Sequence, residues 1–315
     1  MDFSDHPWRV IADYGELVEL RHADGSVTAV RPNLSGPRPV TGDWVSIDRG
    51  RQRILAAAPR RSWLARAGRN GRPQFVAANL TAAFVVTSPE PREFSPRRVT
   101  RYLVALAAGK VEAVVLLNKC DCVADAGDLV AALRAVSCGT TVVPISARDG
   151  TSCELLAAYL HDGATVALCG SSGVGKSTLL NRLAETAVVK TAPMRADGRG
   201  RHTTTVRRLV TLPSGASLID TPGMRAFEPW AGEDDVGRAF DALRGAAGRC
   251  RFTDCRHAGE PGCAVREAVT GERLEQWRKL QREAAWRATL DDPLLAIERK
   301  RAWKRIHKQA RRERG

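Results

Sequence analysis

The residues with the clearest chemistry form a glycine-rich run, Gly170-Ser-Ser-Gly-Val-Gly-Lys176-Ser177. The run follows an apolar strand predicted over residues 165–168 and precedes a predicted helix, Lys176–Leu183, which is the context of a phosphate-binding loop. Its glycines let backbone N–H groups curl round phosphates, aided by the positive end of the helix. We expect Lys176 to reach the β- and γ-phosphates and the Ser177 hydroxyl to ligate Mg²⁺. The predicted phosphate-binding residues are Gly170, Ser171, Ser172, Gly173, Val174, Gly175, Lys176 and Ser177.

A second motif, Asn118-Lys-Cys-Asp121, comes directly after another predicted strand, where ligand-binding loops of such sheets emerge. The Asp121 carboxylate can accept hydrogen bonds from the N1–H and 2-amino groups of guanine. Adenine offers neither donor and would leave the carboxylate unpaired, so GTP should be preferred. We expect Lys119 to lay its methylene stem along the base. Ser146 and Ala147 follow the next predicted strand, and the Ala147 N–H is expected to meet the guanine O6.

A third motif, Asp220-Thr-Pro-Gly223, supplies the expected magnesium site. Asp220 is expected to bind Mg²⁺ through water, and the Gly223 N–H to sense the γ-phosphate. One of three consecutive threonines, Thr203–Thr205, should provide a further ligand, and we select Thr204. The predicted magnesium ligands are Ser177, Thr204 and Asp220.

The residue that orients the attacking water is harder to identify. Many GTPases place a glutamine just past the glycine of the third motif. Here Met224 stands near that site and cannot hydrogen-bond water usefully. His202 is a candidate replacement, and the alternative is that it contacts only the loop or a partner. We predict a slow intrinsic rate that a partner raises, with His202, Lys176 and Thr204 as catalytic residues.

The order of these motifs is reversed. In an ordinary GTPase the phosphate loop opens the domain and the base-reading motif closes it, whereas here residues 118–147 precede residues 170–223. A circular permutation is therefore predicted, within an alternation of strands and helices that indicates a doubly wound, mainly parallel sheet. Residues 184–208 are polar and weakly periodic, which predicts a loop. Predicted strands cover 80–86, 113–117, 141–144, 165–168 and 217–219, and predicted helices cover 96–108, 125–136, 152–160 and 176–183.

The N-terminal region has the pattern of a small β-barrel. About five short strands with turn residues between them, and no convincing helix, are typical of an OB-fold or of an SH3-like barrel. Its arginines, beside Trp44 and Trp63, suggest RNA binding. A solvated basic edge with buried tryptophans explains the same composition. The strands are predicted near 9–12, 16–20, 26–30, 43–48 and 53–56.

The C-terminal region is predicted to be helical, interrupted by a cluster of metal-ligating residue types. Cys250, Cys255, His257 and Cys263 offer three thiolates and one imidazole, a complete tetrahedral set for one structural Zn²⁺ with no open position for catalysis. The alternative is four unrelated residues, although such clustering in a reducing compartment is hard to explain otherwise. Residues 299–315 are strongly basic and fit either a helix in an RNA groove or a solvated tail.

Composition indicates the class of partner. The net charge of +14 and a pI near 10 indicate a polyanionic partner, nucleic acid or a membrane surface. No apolar stretch approaches the roughly 18–20 residues that span a bilayer, and residues 1–7 lack the pattern of a signal peptide. We expect a cytoplasmic monomer that does not bind membranes.

Nearly the whole chain resembles the RsgA (YjeQ) family of bacterial GTPases that depend on the small ribosomal subunit. The resemblance rests on the reversed motif order, the loop Gly198-Arg-Gly-Arg-His-Thr-Thr-Thr205, the cysteine–histidine cluster and Gly42-Asp43-Trp-Val. It implies an OB-fold over residues 1–75, a permuted GTPase domain over 76–235 and a helical zinc-binding domain with a basic tail over 236–315. The family motifs also carry over to Cys120 and Thr178, which join the expected GTP-binding residues.

The resemblance implies a GTP hydrolase that acts late in maturation of the small ribosomal subunit. The GTP form would bind the subunit and its rRNA, the subunit would stimulate hydrolysis to GDP and phosphate, and the GDP form would leave. Two other functions stay open. An RNA-binding adaptor with a vestigial site is disfavoured by the intact Lys176, Ser177, Asp220 and Asp121. A metabolic or membrane-associated GTPase would show no sedimentation with ribosomes.

Overall fold

The computed structural model describes residues 8–32, 38–48, 50, 53–68, 72–137, 139–186, 206–221, 227–269 and 271–291. They form two compact units. The first comprises the described residues up to Arg66 and from Phe75 to Pro229, and the second those of 67–74 and from Trp230 onward. The three-domain division at residues 75 and 235 stays a prediction. Among the described helices, none is both long and apolar enough to span a membrane.

Five short antiparallel strands open the first unit and are consistent with the predicted OB-like barrel. They are β1 (Trp8–Asp13), β2 (Val18–Arg21), β3 (Val27–Val30), β4 (Trp44–Asp48) and β5 (Arg53–Ala57). β1 pairs with β2 and β4, β2 also pairs with β3, and β4 also pairs with β5. Alternate apolar side chains, among them Val10, Leu20 and Val45, are buried together and form the core of this region.

The Gly42-Asp43 pair is a structural feature of the barrel. Gly42 has a φ of +97°, and a Cβ at this position would lie 2.1 Å from the Ala78 carbonyl oxygen. Asp43 is fully buried and accepts hydrogen bonds from Arg60 Nε at 2.8 Å and Arg60 Nη2 at 2.7 Å. Arg60 is thus one of the region's arginines whose guanidinium already serves an internal ion pair.

Trp44 and Trp63 also have internal partners. A hairpin, β6 (Trp63–Ala67) and β7 (Pro73–Ala78), forms a separate two-stranded sheet that the sequence pattern does not predict. The Trp63 ring packs edge-on against Phe75 with a centroid distance of 6.3 Å. The Arg9 guanidinium lies 5.1 Å from the ring centroid of Trp44. These contacts favour a structural role for both rings over an RNA-stacking one.

A long sheet carries the sequence motifs. Its remaining strands are β8 (Ala82–Thr87), β9 (Glu112–Leu117), β10 (Val142–Pro144), β11 (Thr165–Cys169), β12 (Arg207–Thr211) and β13 (Ser217–Asp220). β10, β9, β8, β11 and β13 are neighbours in that order and all parallel. β12 runs antiparallel to both β13 and β1, so the sheet continues into the barrel. All five parallel strands therefore end at one edge, where ligand sites of such sheets form.

Helices cover both faces of the parallel strands and confirm the predicted doubly wound sheet. They are α1 (Pro96–Ala108), α2 (Gly127–Val136) and α3 (Lys176–Leu183). Val99 of α1 and Leu133 of α2 lie in one buried cluster, and Leu179 of α3 lies in the other. α1 begins as its sequence indicates, because the Ser95 side chain caps Arg98 N and Pro96 occupies the first turn.

Besides the β6–β7 hairpin, two elements differ from the sequence prediction. The helix predicted over 152–160 is a 3₁₀ segment, Cys153–Tyr159. Its hydrogen bonds span three residues, as in Leu155 N to Ser152 O at 3.3 Å and Leu160 N to Ala157 O at 3.0 Å. β12 begins inside the predicted loop 184–208, because the short Arg207–Thr211 segment pairs on one side with β13, which follows it directly, and on the other with β1, which is distant in sequence.

The second unit is mainly helical. Its helices are α4 (Glu233–Ala239), α5 (Asp241–Ala247), α6 (Ala264–Ala268) and α7 (Gly271–Asp291). The buried side chains of this unit include Val236, Phe240, Leu243, Val265 and Leu274. The chain between α5 and α6 forms no helix or strand and carries the cysteine–histidine cluster.

Candidate nucleotide site and metal centre

The phosphate loop connects β11 to α3 and requires its glycines. Gly170 has a φ of +144°, and a Cβ there would lie 2.3 Å from the Val86 carbonyl oxygen. Gly175 has a φ of +93°, and its Cβ would lie 2.3 Å from the Asn118 side-chain nitrogen. Gly173 also has a positive φ, +90°. Backbone conformations and close contacts thus exclude other side chains at both ends of the loop.

Lys176 curls back over the loop that precedes it. Its Nζ donates to the carbonyl oxygens of Gly170 at 2.8 Å and Ser171 at 2.6 Å, and the side chain is buried. Burial lowers the pKa of the Lys176 ammonium, and the nearby Asp220 carboxylate opposes this shift. Ser177 follows in the first turn of α3, partly exposed, as is Thr178. The ammonium and the helix N-terminus together favour an anion here.

Asn118 joins the motifs that the sequence separates. Its side-chain Nδ2 donates to the Val174 carbonyl oxygen of the phosphate loop at 2.8 Å. Its Oδ1 accepts from the Ala147 N–H at 2.9 Å. One buried amide therefore connects the three segments that the reversed order predicts to converge. The Ala147 N–H, expected to face a guanine O6, donates to this amide in the structure.

The other base-reading residues lie around a short 3₁₀ turn, Cys120–Cys122. Ser146 Oγ donates to Asp121 Oδ1 at 2.8 Å, which fixes one carboxylate oxygen. Lys119 has a φ of +66°, and its Nζ lies 2.6 Å from Glu90 Oε1. The Cys120 thiol contacts the Leu117 carbonyl oxygen at 3.1 Å. Asp121 and Lys119 thus lie where the strand-end motif predicts them.

Asp220 has the properties of a cation ligand. It lies at the end of β13 and is only 6% exposed, and its Oδ1 has no hydrogen-bond partner among the described residues. Burial raises the pKa of the Asp220 carboxyl, while Lys176 lowers it. A buried carboxylate oxygen without a partner beside the phosphate loop fits a hard divalent cation such as Mg²⁺. Thr221 Oγ1 donates to the Leu168 carbonyl oxygen, which ties this strand end to β11.

Several predicted residues lie outside the described residues. They are His202, Thr203, Thr204, Thr205, Gly223 and Met224. The roles assigned to them stay predictions.

Four residues that the motifs do not include also support the site. Arg182 of α3 donates to the carbonyl oxygens of Ala147, at 3.3 Å, and Arg148. Glu90 and Glu93 lie between β8 and α1, and Arg98 lies in the first turn of α1; each contacts Lys119 or Ser171. No sequence motif identifies these four residues, because their contacts with the site depend on which strands are neighbours in the sheet.

The cysteine–histidine cluster of the second unit has the geometry of a metal site. The ligand atoms of Cys250, Cys255, His257 and Cys263 all lie within 4.8 Å of one another. His257 Nδ1 is 3.6 Å from the Cys250 sulfur and 3.4 Å from the Cys263 sulfur. Tetrahedral zinc with ordinary bond lengths separates nitrogen and sulfur ligands by about 3.6 Å. The cluster indicates a structural metal ion such as zinc.

Glu260 organises the loop that presents His257. Its carboxylate accepts backbone N–H bonds from Arg256 at 3.0 Å, Ala258 at 2.6 Å and Gly259 at 3.0 Å. Hydrogen bonds from backbone N–H groups, first its own, lower the pKa of the partly exposed Glu260 carboxyl to about 2. At neutral pH the charged Glu260 carboxylate therefore binds backbone N–H groups both before and after the histidine ligand in the sequence. Such outer contacts fix the orientation of metal ligands.

Comparisons with known proteins agree with this geometry. A family model described as RsgA GTPase matches residues 57–230. A protein of Xylella fastidiosa named "Small ribosomal subunit biogenesis GTPase RsgA" is 48% identical over 265 residues, which cover 80% of this chain and 76% of the relative. A protein of Opitutus terrae with the same name is 38% identical over 333 residues, 97% of this chain and 90% of the relative.

Two solved structures share the fold. The crystal structure of YjeQ from Thermotoga maritima has a TM-score of 0.63 and 25% identity, with coverage of 89% of this chain and 98% of that one. YloQ, described as a circularly permuted GTPase, has a TM-score of 0.59 and 20% identity, with coverage of 90% and 97%. The permutation and the resemblance predicted from the motifs are confirmed. The chain is a GTP hydrolase and belongs to the RsgA GTPase family.

Proposed function

We propose that this GTPase acts in late maturation of the small ribosomal subunit. Its GTP form docks on the subunit and its rRNA, the subunit stimulates hydrolysis, and the GDP form leaves. The names of its relatives support the process and the partner. A net charge of +14 supports docking on a polyanion.

The observation that carries the proposal is the Asn118 amide, which connects the phosphate loop at Val174 with the base-reading loop at Ala147. Because one side chain links both halves, a nucleotide that contacts Asp121 with its base would reach Lys176 with its phosphates. Asp121 would accept from guanine N1–H and the 2-amino group, with Ser146 holding its other oxygen. This arrangement supports selection of GTP and GDP over adenine nucleotides.

Catalysis is proposed to depend on charge neutralisation and on a partner. Lys176 would hold the β- and γ-phosphates. Mg²⁺ bound by Ser177, Asp220 and Thr204 would supply neutralisation of charge on the phosphate oxygens. The Gly223 N–H would sense the γ-phosphate, and His202 would orient the attacking water. Met224 in place of glutamine supports a slow rate in the absence of the subunit.

The second unit is proposed to bind one structural Zn²⁺ per chain through Cys250, Cys255, His257 and Cys263. The basic residues 299–315 are proposed to contact rRNA. The protein is proposed to act as a monomer in the cytoplasm, where small subunits mature, without binding membranes.

The test is GTP hydrolysis by the full chain, titrated with purified small subunits at several salt concentrations. Stimulation should fall steeply with salt, because neutralising several phosphates makes affinity drop about 10³-fold or more from about 50 to about 200 mM salt. Lys176→Ala is the inactive control, and large subunits are the control partner. Equal stimulation by large subunits, or none by small ones, would exclude the proposal.

A further inference from the structure

The segment between β8 and α1 lies at the centre of the nucleotide site, although no nucleotide motif includes it. β8 lies between β9, which ends at the base-reading motif, and β11, which ends at the phosphate loop. Parallel strands end at the same edge, so the segment after Thr87 emerges between the two halves of the site. This segment contains two glutamates, Glu90 and Glu93.

The backbone of this segment is a tight, anchored turn. The Glu90 carbonyl oxygen accepts from the N–H groups of Glu93 and Phe94, both at 2.8 Å. The Thr87 hydroxyl donates to the Glu93 carbonyl oxygen at 3.0 Å, and the Thr87 carbonyl oxygen accepts from the Asn118 N–H at 2.9 Å. The two glutamates are therefore held at a fixed spacing by the backbone, next to the base-reading motif.

Glu90 contacts the base-reading half. Its Oε1 lies 2.6 Å from Lys119 Nζ, and the two side chains are 34% and 24% exposed. Because Glu90 holds the ammonium group of Lys119, the methylene groups of the Lys119 side chain have fewer accessible conformations. The contact thus limits the conformations of the side chain that is proposed to lie along the guanine ring.

Glu93 contacts the phosphate half. It is 6% exposed, and its carboxylate accepts from the Ser171 hydroxyl. Arg98 Nη1 lies 3.0 Å from Ser171 Oγ and 3.5 Å from Glu93 Oε2, so a cation and a hydroxyl both compensate the buried carboxylate. The carbonyl oxygen of the same Ser171 accepts from Lys176 Nζ at 2.6 Å. Glu93 therefore holds Ser171, the residue whose carbonyl oxygen binds the Lys176 ammonium.

We propose that Glu90 and Glu93 are positioning residues for the nucleotide. Glu90 holds Lys119 against the guanine base, and Glu93 holds Ser171 and, through it, the phosphate loop. The inference rests on the proposed nucleotide site and extends it. Within one turn, Glu90 would affect binding of the base and Glu93 would affect binding of the phosphates.

The experiment measures dissociation constants of guanosine, GDP and GTP for the full chain by competition with a fluorescent GDP analogue. Glu90→Gln should weaken all three by one common factor, about two- to fivefold, because all three contain the base. Glu93→Gln should weaken GDP and GTP by about tenfold and guanosine by less than about twofold, because only the phosphates contact the loop. Glu112→Gln is the matched control, since Glu112 is exposed at the opposite end of β9.

A double variant separates positioning from general loosening of the site. In a Lys119→Met background, Glu90→Gln should have no further effect, because its partner is already lost. Ser171→Ala removes the Glu93 contact from the other side and should give the same difference between GDP and guanosine. If Glu93→Gln does not fold, Ser171→Ala alone tests the role of the contact between Glu93 and Ser171.

Two results would overturn the inference. One is unchanged guanosine binding in Glu90→Gln, and the other is an equal loss of guanosine and GDP binding in Glu93→Gln or Ser171→Ala. A wild-type chain without preference for GTP over ATP would instead contradict the proposed nucleotide site. The two failures are therefore distinct.

Discussion

Single residues of the phosphate loop are constrained by neighbours that come much earlier in the chain. Gly175 lies against the Asn118 amide so closely that a Cβ would be 2.3 Å from its nitrogen. The same nitrogen donates to the Val174 carbonyl oxygen. The glycine thus serves two purposes, since it allows a φ of +93° and leaves room for the amide that connects the halves of the site.

Gly175→Ala should weaken GDP and GTP binding by at least about tenfold, because the alanine methyl must displace the Asn118 amide. Gly163→Ala is the matched control. Gly163 has a comparable positive φ, +76°, but a Cβ there meets nothing within 4 Å. Nucleotide titration of both variants separates the effect of the contact from backbone strain. Similar losses of nucleotide affinity in both variants would show that the contact between residue 175 and Asn118 does not affect binding.

Particular elements show what the sequence could and could not predict. The structure has α1 and α3 at the predicted bounds, because Ser95-Pro96 and the phosphate loop are strong local signals for a helix start. The sequence pattern does not predict β12, which depends partly on pairing with the distant strand β1, or the 3₁₀ geometry of Cys153–Tyr159, which depends on i→i−3 bonds. In the site, the motif residues are predicted from local pattern. Glu93 is not, because its partner Ser171 is 78 residues away.

The barrel depends on the buried ion pair between Asp43 and Arg60. Asp43→Ala should lower the free energy of unfolding by about 3 kcal/mol, because it leaves a largely buried guanidinium without its partner. Asp48→Ala is the control. Its ion pair with Arg53 is 4.0 Å long, and the Asp48 and Arg53 side chains are 30% and 49% exposed, so the loss should stay below about 1 kcal/mol. Urea unfolding of both variants gives the comparison, and equal losses would contradict a structural role of the Asp43 pair.

The loop between α5 and α6 should depend on metal. Purified wild-type protein should contain one zinc ion per chain, and Cys255→Ser should contain almost none, because structural zinc sites need all four ligands. Cys122→Ser should keep its zinc, since this exposed thiol lies outside the cluster. Elemental analysis measures the content. Zinc retained by Cys255→Ser, or absent from the wild type, would show that the cluster is not a zinc site.

The molecule as a whole joins sequence segments in an unusual order. The parallel strands run β10, β9, β8, β11, β13 across the sheet, so base-reading and phosphate segments meet at one edge despite their reversed succession. The same sheet continues through β12 into the barrel strand β1. The permutation was predictable because motif order is visible in the sequence. The continuous sheet was not, because β1 and β12 are far apart along the chain.

The most direct measurement of this convergence is calorimetric titration of GTP and ATP, in the presence of Mg²⁺, into the wild type and into Asp121→Asn. The wild type should bind GTP at least about a hundredfold more tightly than ATP, because adenine lacks the N1–H and 2-amino donors and would leave the Asp121 carboxylate unpaired. Asp121→Asn should lose most of that preference while ATP binding stays as it was. An undiminished preference for GTP in Asp121→Asn would show that the segment at residues 118–121 does not contact the base of the nucleotide held by the loop at residues 170–178.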